Sequence, residues 1–198
     1  MRCTAAICCR LTPKQKAKIV ELFKKNSQYI TLCIGDGAND VPMILESNIG
    51  IGISGKEGSQ AVRSADYSIS KFKYLKDLLL VHGRCAYKRL SFYTCYAFYK
   101  NIIVVFTEIY FIIFNGYSGQ IYFSDWFTNF YNTFWSSWPM LINFSQDKDL
   151  NRDIIFKYPK LYTDGHKNTY MNNKIFWTWI LFAMIHGFII FWVPMVVF

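Results

Sequence analysis

The sequence lacks most of the devices that identify the chemistry of a small chain at a glance. Its six cysteines (Cys3, Cys8, Cys9, Cys33, Cys85 and Cys95) form no C-x-x-C pair, and none has a histidine at zinc-finger spacing. That excludes the common structural zinc sites and leaves reduced cysteines packed as small hydrophobes, four of them in apolar strand-like runs. No signal peptide opens the chain, because the apolar run after Arg2 is broken by charge almost at once. No internal repeat, low-complexity segment or Walker-type lysine loop is present. No nucleic-acid-binding motif accompanies the net charge of +9, so a DNA-binding reading has charge alone to stand on.

Charge is also missing from one half. Residues 1–90 carry 15 Lys/Arg against 7 Asp/Glu, whereas residues 91–198 carry 7 against 6 and hold most of the aromatic residues. This distribution predicts a basic cytosolic part that continues into a membrane. Phe92 to Phe114 runs 23 residues with only Lys100 and Glu108 charged, enough for a span of roughly 20 residues. Trp126–Phe144 is a second candidate span, rich in Asn, Ser and Trp, and Ile175–Phe198 is a third. The loop 115–125 has no Lys or Arg, while Arg84, Lys88, Arg89 and the 145–174 segment are basic. The first is therefore placed outside and the others on the cytosolic side.

The first half alternates apolar runs with helical patterns. Strands are expected at "TAAICC" (4–9), "YITLCI" (29–34), "IGIGIS" (49–54) and "DYSIS" (66–70). Between them, "TPKQKAKIVELFKKN" reads as a helix with Thr12 at its N-cap, Pro13 as first residue and Ile19, Val20 and Phe23 as its apolar stripe. "NDVPMILES" and "EGSQAVRSA" read as shorter helices. Continuous apolar strands separated by helices predict a parallel sheet buried on both faces, which places its chemistry at the strand C-termini. The fold class expected is thus α/β, followed by α-helical transmembrane segments. Residues 1–73 form the cytosolic part, 74–91 a helical stalk and 92–198 the membrane part. A chain that opens on a core strand and stops inside a span is expected to belong to a longer protein.

"YITLCIGDGANDVPMI", Tyr29 to Ile44, carries the most specific chemistry. Glycines at 35 and 37 let the backbone approach a ligand, and Asp36 and Asp40 stand where both carboxylates can reach one hard cation. Mg²⁺ takes such a pair, with waters and phosphate completing its shell. Asn39 can cap the following helix or hydrogen-bond a phosphate oxygen. The alternative is a polar βα turn whose aspartates only cap a helix, and spacing alone leaves both readings open.

"GDGAND" after an apolar strand, with "CCRLTPKQKAKIVELFKK" upstream, resembles the P-type ATPases, a branch of the haloacid dehalogenase superfamily. The resemblance implies a haloacid dehalogenase-like sheet, present in part. It implies Asp36 as the Mg²⁺ carboxylate, Asn39 and Asp40 as support for phosphate and metal, and Lys16 against the phosphorylated aspartate. A contact of Arg10 with nucleotide or phosphate follows more weakly. Downstream, "GISGKEGSQAVRSADYSISKFKYLKDLLLVHGRCAYKRLS" and "FYKNIIVVFTEIYFIIFNGYSGQ" are similar to the type IV subfamily, the phospholipid flippases, so the resemblance covers essentially the whole chain.

In the first span Lys100 lies eight residues inside, about 12 Å along a helix. An ammonium there either faces a polar cavity or snorkels back to the headgroups. Asn101 and Glu108, seven residues apart, share a face of the same helix. Together these residues mark a transport path. The resemblance assigns the "YKN" lysine, Lys100, to the lipid headgroup and Asn132 to the substrate lipid. Trp126–Phe144 contains no carboxylate, which argues against the acidic ligands of a cation pump. Pro139 is expected to kink or unwind this helix, and the family's usual second proline is absent. His186 reads as a packed, hydrogen-bonded residue.

The function this implies is an ATP-driven, Mg²⁺-dependent movement of phospholipid to the cytosolic leaflet through a phospho-aspartate cycle. ATP is the substrate of the full-length protein, and a small accessory membrane subunit is the expected partner. The alternatives are a cation-transporting P-type ATPase fragment or a non-catalytic short membrane protein. The family's phosphorylated "DKTGT" aspartate is not among these residues, so the fragment is expected to be inactive alone.

Overall fold

The structure is a computed structural model that describes residues 5–55, 59–147 and 149–197. It divides into two compact units, Met1–Leu78 and Leu79–Phe198. Most of the chain is helical, with one small parallel sheet.

The first unit opens with residues 5–12, which are extended but unpaired, and continues into α1 (Pro13–Asn26). The start of α1 is as the sequence predicts. Thr12 is the N-cap and Pro13, whose missing N–H costs nothing at that position, is the first helical residue. The Thr12 amide donates to Gln15 Oε1 at 2.9 Å. Strand β1 (Leu32–Gly35) leads through a single 3-10 turn, Ala38–Asp40, into α2 (Val41–Glu46). Strand β2 (Ile49–Ile53), α3 (Gln60–Ser64) and β3 (Tyr67–Ile69) complete the sheet, whose order is β1-β2-β3, all parallel. A 3-10 turn and the short α4 (Leu75–Asp77) close the unit.

The register pairs Cys33 with Gly50 and Gly35 with Gly52. A Cβ on Gly50 would meet Ile44 of α2, and one on Gly52 would meet the backbone of Val62 in α3 at 2.6 Å. Both crossover helices therefore lie on the same face, pressed close because the strand offers no side chains there. Ile51 and Ile69 point to the opposite face and are also buried, so the apolar runs are covered on both sides, as continuous hydrophobic strands require. With Val20 and Ile44 they form the core, each contributing roughly 1.5–3 kcal/mol of burial.

The expected strand at 4–9 does not form. Thr4 lies outside the described residues, and 5–9 carry no strand and are exposed, Cys8 and Cys9 included. An apolar run becomes a strand only beside a neighbour whose ladder it can join, and the sheet ends at β1. Cys33 and Cys95 are buried as expected, whereas Cys3 lies outside the described residues.

In the second unit a six-residue π-helical stretch, Leu78–Gly83, precedes α5 (Arg84–Phe114), 31 residues long. Next come α6 (Asp125–Phe130), a π turn over Tyr131–Trp135 and α7 (Ser137–Gln146). The short α8 (Arg152–Lys157) and α9 (Thr163–His166) lead to α10 (Asn173–Val197). Among the described residues two helices are long and apolar enough to cross a membrane, Phe72–Phe114 and Asn173–Val197. The segment from α6 to α7 has the length of a span but is broken by the π turn. Pro139 falls in the first turn of α7, where its missing N–H costs little, and the opening lies upstream of it, where Ser136 N reaches back five residues to Tyr131 O at 3.0 Å.

α5 and α10 pack closely. Gly187 sits where a Cβ would be 3.2 Å from both Ile103 O and Phe106 Cβ, and Thr107, fully buried, donates to Ile103 O at 2.8 Å and to Gly187 O at 3.4 Å. Aromatic edges fill the rest of the seam, among them Phe98 on Phe176 and Tyr110 on Phe188.

Candidate functional site

The glycine turn is assembled from three elements. β1 delivers Gly35 and Asp36, the 3-10 turn delivers Asn39 and Asp40, and the first turn of α1 delivers Lys16. Lys16 Nζ donates to Asp40 Oδ1 at 2.8 Å across 24 residues of sequence. The other oxygen, Oδ2, lies 2.8 Å from where a Gly35 Cβ would be, so the carboxylate rests on the end of the strand in space that only glycine leaves. Asp36 is exposed and takes no hydrogen bond or ion pair from the described residues. Asn39 is exposed on the same turn. Arg10 is exposed in the left-handed region at φ 55° and makes no hydrogen bond to the Lys16–Asp40 pair. Farther along, Lys24 Nζ donates to Glu46 O at 2.6 Å and pairs with Glu46 Oε1 at 3.3 Å, which ties α1 to the end of α2.

The donor set suits a hard cation. One carboxylate is free, the second keeps an oxygen unengaged by Lys16, and no nitrogen or sulfur ligand competes. Asp36 and Asp40 are thus residues that could hold a hard cation such as Mg²⁺. Among the described residues no group of three or more His, Cys, Asp or Glu forms a protein-only metal cage, so phosphate and water would have to complete the shell.

The membrane unit holds a second polar node. Lys100 Nζ donates to Ser136 Oγ at 3.1 Å, and Ser136 is buried at 3% exposure. Ser136 Oγ donates in turn to Asn132 O at 3.1 Å, as does Ser137 Oγ at 2.9 Å. Tyr96 OH reaches Ser136 O at 3.0 Å, and Tyr131 OH reaches Lys100 O at 3.1 Å. Ser136 thus links the Lys100 ammonium to the backbone carbonyl of Asn132 at the opened turn, while the Asn132 residue itself is exposed. Asn101 is exposed and outside this network. Glu108 is engaged elsewhere, because its two carboxylate oxygens accept from Tyr122 N at 3.1 Å and Phe123 N at 2.9 Å and so pin the loop before α6. His186 is hydrogen-bonded as expected, with Tyr99 OH 2.6 Å from its Nδ1, but it is exposed rather than buried.

At the basic end of α5, Arg84 is buried. Its Nε donates to Asp149 Oδ2 at 2.7 Å, its Nη1 to Asp164 Oδ2 at 2.8 Å and to Leu161 O, and its Nη2 to Tyr170 OH at 3.3 Å. Lys88 adds a contact to Asp149 Oδ1 at 3.2 Å. Burial pushes the Asp149 carboxyl up, but hydrogen bonds from Arg84 and Lys88 outweigh it and hold the group below its ordinary value. Arg84 itself is driven lower by burial and higher by its two aspartates, with a net rise.

A model of the family described as "Phospholipid-translocating P-type ATPase C-terminal" matches residues 62–198. The chain belongs to this family. It is similar to "Phospholipid-transporting ATPase IC" of Mus musculus, 45% identical over 193 residues, which are 98% of this chain and 15% of the relative. It is likewise similar to "Phospholipid-transporting ATPase DRS2" of Saccharomyces cerevisiae, 43% identical over 189 residues, or 96% of this chain and 14% of the relative. The chain thus spans about 15% of the length of the curated relatives it matches. Sequence reading did not find Ser136, Tyr96, Tyr131 or the Arg84 cluster. Tyr96 was detectable in principle, since it stands one helical turn from Lys100 on the same face. Ser136 was not, because nothing in spacing shows which hydroxyl an opened turn will bury.

Proposed function

We propose that this chain is part of an ATP-driven phospholipid translocase working through a phospho-aspartate cycle. On this reading residues 1–73 are the C-terminal part of a haloacid dehalogenase-like phosphorylation domain in the cytosol, and 74–91 are a stalk. Residues 92–198 are then a multi-pass membrane domain with spans near 92–114, 126–144 and 175–198. The observation that carries the proposal is the reach of Lys16 to Asp40 at the end of a parallel strand. An ammonium held there by a carboxylate is positioned to neutralise the charge that builds on a phosphoryl group in transfer. Asp36 and Asp40 would hold Mg²⁺, which when bound supplies further charge neutralisation at the phosphate. Asn39, at the start of the helix, hydrogen-bonds a phosphate oxygen, and Arg10, in the extended segment before α1, is a nucleotide or phosphate contact. ATP and the phosphorylated aspartate belong to the full-length protein.

In the membrane, Lys100 offers its ammonium to the anionic part of a lipid headgroup, with Asn132 and the hydroxyls around it as neutral partners. Asn101 extends that path, while Glu108 serves it by holding the loop at its end. A small accessory membrane subunit is part of the same proposal.

The test uses the full-length protein containing this chain, reconstituted in vesicles. Phospholipids are expected to stimulate ATP hydrolysis, and Lys16→Ala to cut the stimulated rate about a hundredfold or more. Lys14→Ala, an exposed lysine of the same turn, is expected to leave it unchanged. Stimulation by cations in place of phospholipids would overturn the lipid reading, and a Lys16→Ala enzyme of normal rate would overturn the phosphoryl role.

A further inference from the structure

A small cavity of about 70 Å³ opens where the basic end of α5 meets the end of α7, lined by Lys88, Arg89, Phe92, Asn143, Phe144 and Asp147. Arg89 is its unsettled member. One guanidinium nitrogen, Nη2, donates to Asp147 O at 2.8 Å, but the buried Nε–H has no hydrogen-bond partner among the described residues. A buried donor without an acceptor is rare and costly enough to point to a group that binds there. The charge balance says which kind. The Asp147 carboxylate lies 3.6 Å from Lys88 Nζ, and Lys88 also pairs with Asp149, which Arg84 holds in addition. Among the described residues no carboxylate pairs with Arg89, so the lining keeps one uncompensated positive charge. Asn143 adds an amide able to donate.

The position is equally informative. Arg89 precedes Phe92 by one helical turn, and Asn143 and Phe144 are in the last turn of α7. Two segments thus meet here, and the cavity they line carries two phenylalanines as well as a guanidinium.

We propose that this cavity binds a phosphate group, the headgroup phosphate of a membrane lipid or a free phosphate, with Arg89 as its principal donor and Asn143 as its second. A tetrahedral oxyanion gives Nε and Nη of one arginine two acceptors in the fork geometry that the guanidinium presents. Phe92 and Phe144 then face the glycerol and upper acyl region of a lipid carrier. The site is separate from the Lys100 node and does not depend on it. It rests on the reading that α5 enters the bilayer near Phe92.

Binding is measured by native mass spectrometry on the full-length protein without ATP, using dioleoyl phosphatidate, dioleoylglycerol and inorganic phosphate as probes. Phosphatidate is expected to be retained over dioleoylglycerol. Arg89→Gln is expected to weaken it about tenfold. Asn143→Asp, which keeps the size of the side chain and adds a negative charge, is expected to weaken it similarly and guards against a folding defect in the arginine variant. Displacement of phosphatidate by inorganic phosphate identifies a free-anion site, and its failure to displace identifies a lipid site. Variants that hold as much phosphatidate as the parent overturn the proposal. The readout is independent of transport: a cation pump that loses phosphatidate in both variants keeps this site and loses the translocase reading.

Discussion

A methyl group on Gly35 would lie 2.3 Å from Asp40 Cβ. Gly35→Ala must therefore push Asp40 away from the strand end or bend β1. It is expected to destabilise the fold by about 1–3 kcal/mol and to weaken Mg²⁺-dependent phosphorylation. Thermal unfolding of the full-length protein and phosphoenzyme formation from ATP check this, and a variant normal in both would contradict it. Arg84 makes a second residue-scale prediction. Its Asp149 partner titrates below the ordinary carboxylate value, so the stabilisation from that pair is complete above about pH 4 and fades as pH falls through the depressed value. Arg84→Ala removes the cation that two aspartates share, though Lys88 stays on Asp149, and is expected to cost about 1–3 kcal/mol at neutral pH. The difference from the parent should hold constant from about pH 5 to 8 and shrink only on acidification below about pH 4. A difference that grew on acidification would contradict the sign. These juxtapositions were only partly legible in sequence. Asp36 and Asp40 stand out by their glycines, but Lys16 meets Asp40 through the fold, and Arg84 looked like border charge until Asp149 and Asp164 came to it.

At the scale of elements, the bounds of α1 follow from Thr12 and Pro13, and β1 to β3 follow from apolar runs bounded by glycine and serine. The run at 4–9 has the same composition as a strand and does not form one, because composition says what a strand can be made of and not whether it will pair. The second span shows a similar limit. Pro139 leads to the expectation of a disturbed helix, yet the break falls upstream of it, at Tyr131–Trp135, where the turn widens and Ser136 is buried. The contact of α5 with α10 is set by Gly187. Gly187→Leu is expected to force the helices apart and to disturb the Thr107 hydrogen bond across the seam. Its readout is earlier aggregation on heating in fluorescence-detected size exclusion, and a Leu variant as stable as the parent would mean that the seam tolerates wider spacing.

For the molecule as a whole, the uneven charge was the most legible feature: a basic first half, then helices long and apolar enough to cross a membrane. Family membership was legible as well, because "GDGAND", Lys16 and the "YKN" segment occur together and in order. The same reading limits what these 198 residues can do. With no "DKTGT" aspartate among them, the isolated chain in lipid vesicles is expected to hydrolyse no ATP in response to phospholipid. Stimulated turnover by this chain alone would overturn the assignment of its phosphate corner.

The attachment of α1 at two points has a mechanical consequence. Lys16 is fastened to Asp40 and Lys24, two helical turns farther on, to Glu46, so the helix cannot pivot about either end. The outer fastening is the weaker, with Lys24 and Glu46 side chains 35% and 40% exposed and open to screening by dissolved ions. Concentrated salt would loosen that end first and turn a clamped beam into a hinged one. The Lys24 end would then swing while the Lys16 ammonium, at the pivot, stays on Asp40 at the strand end.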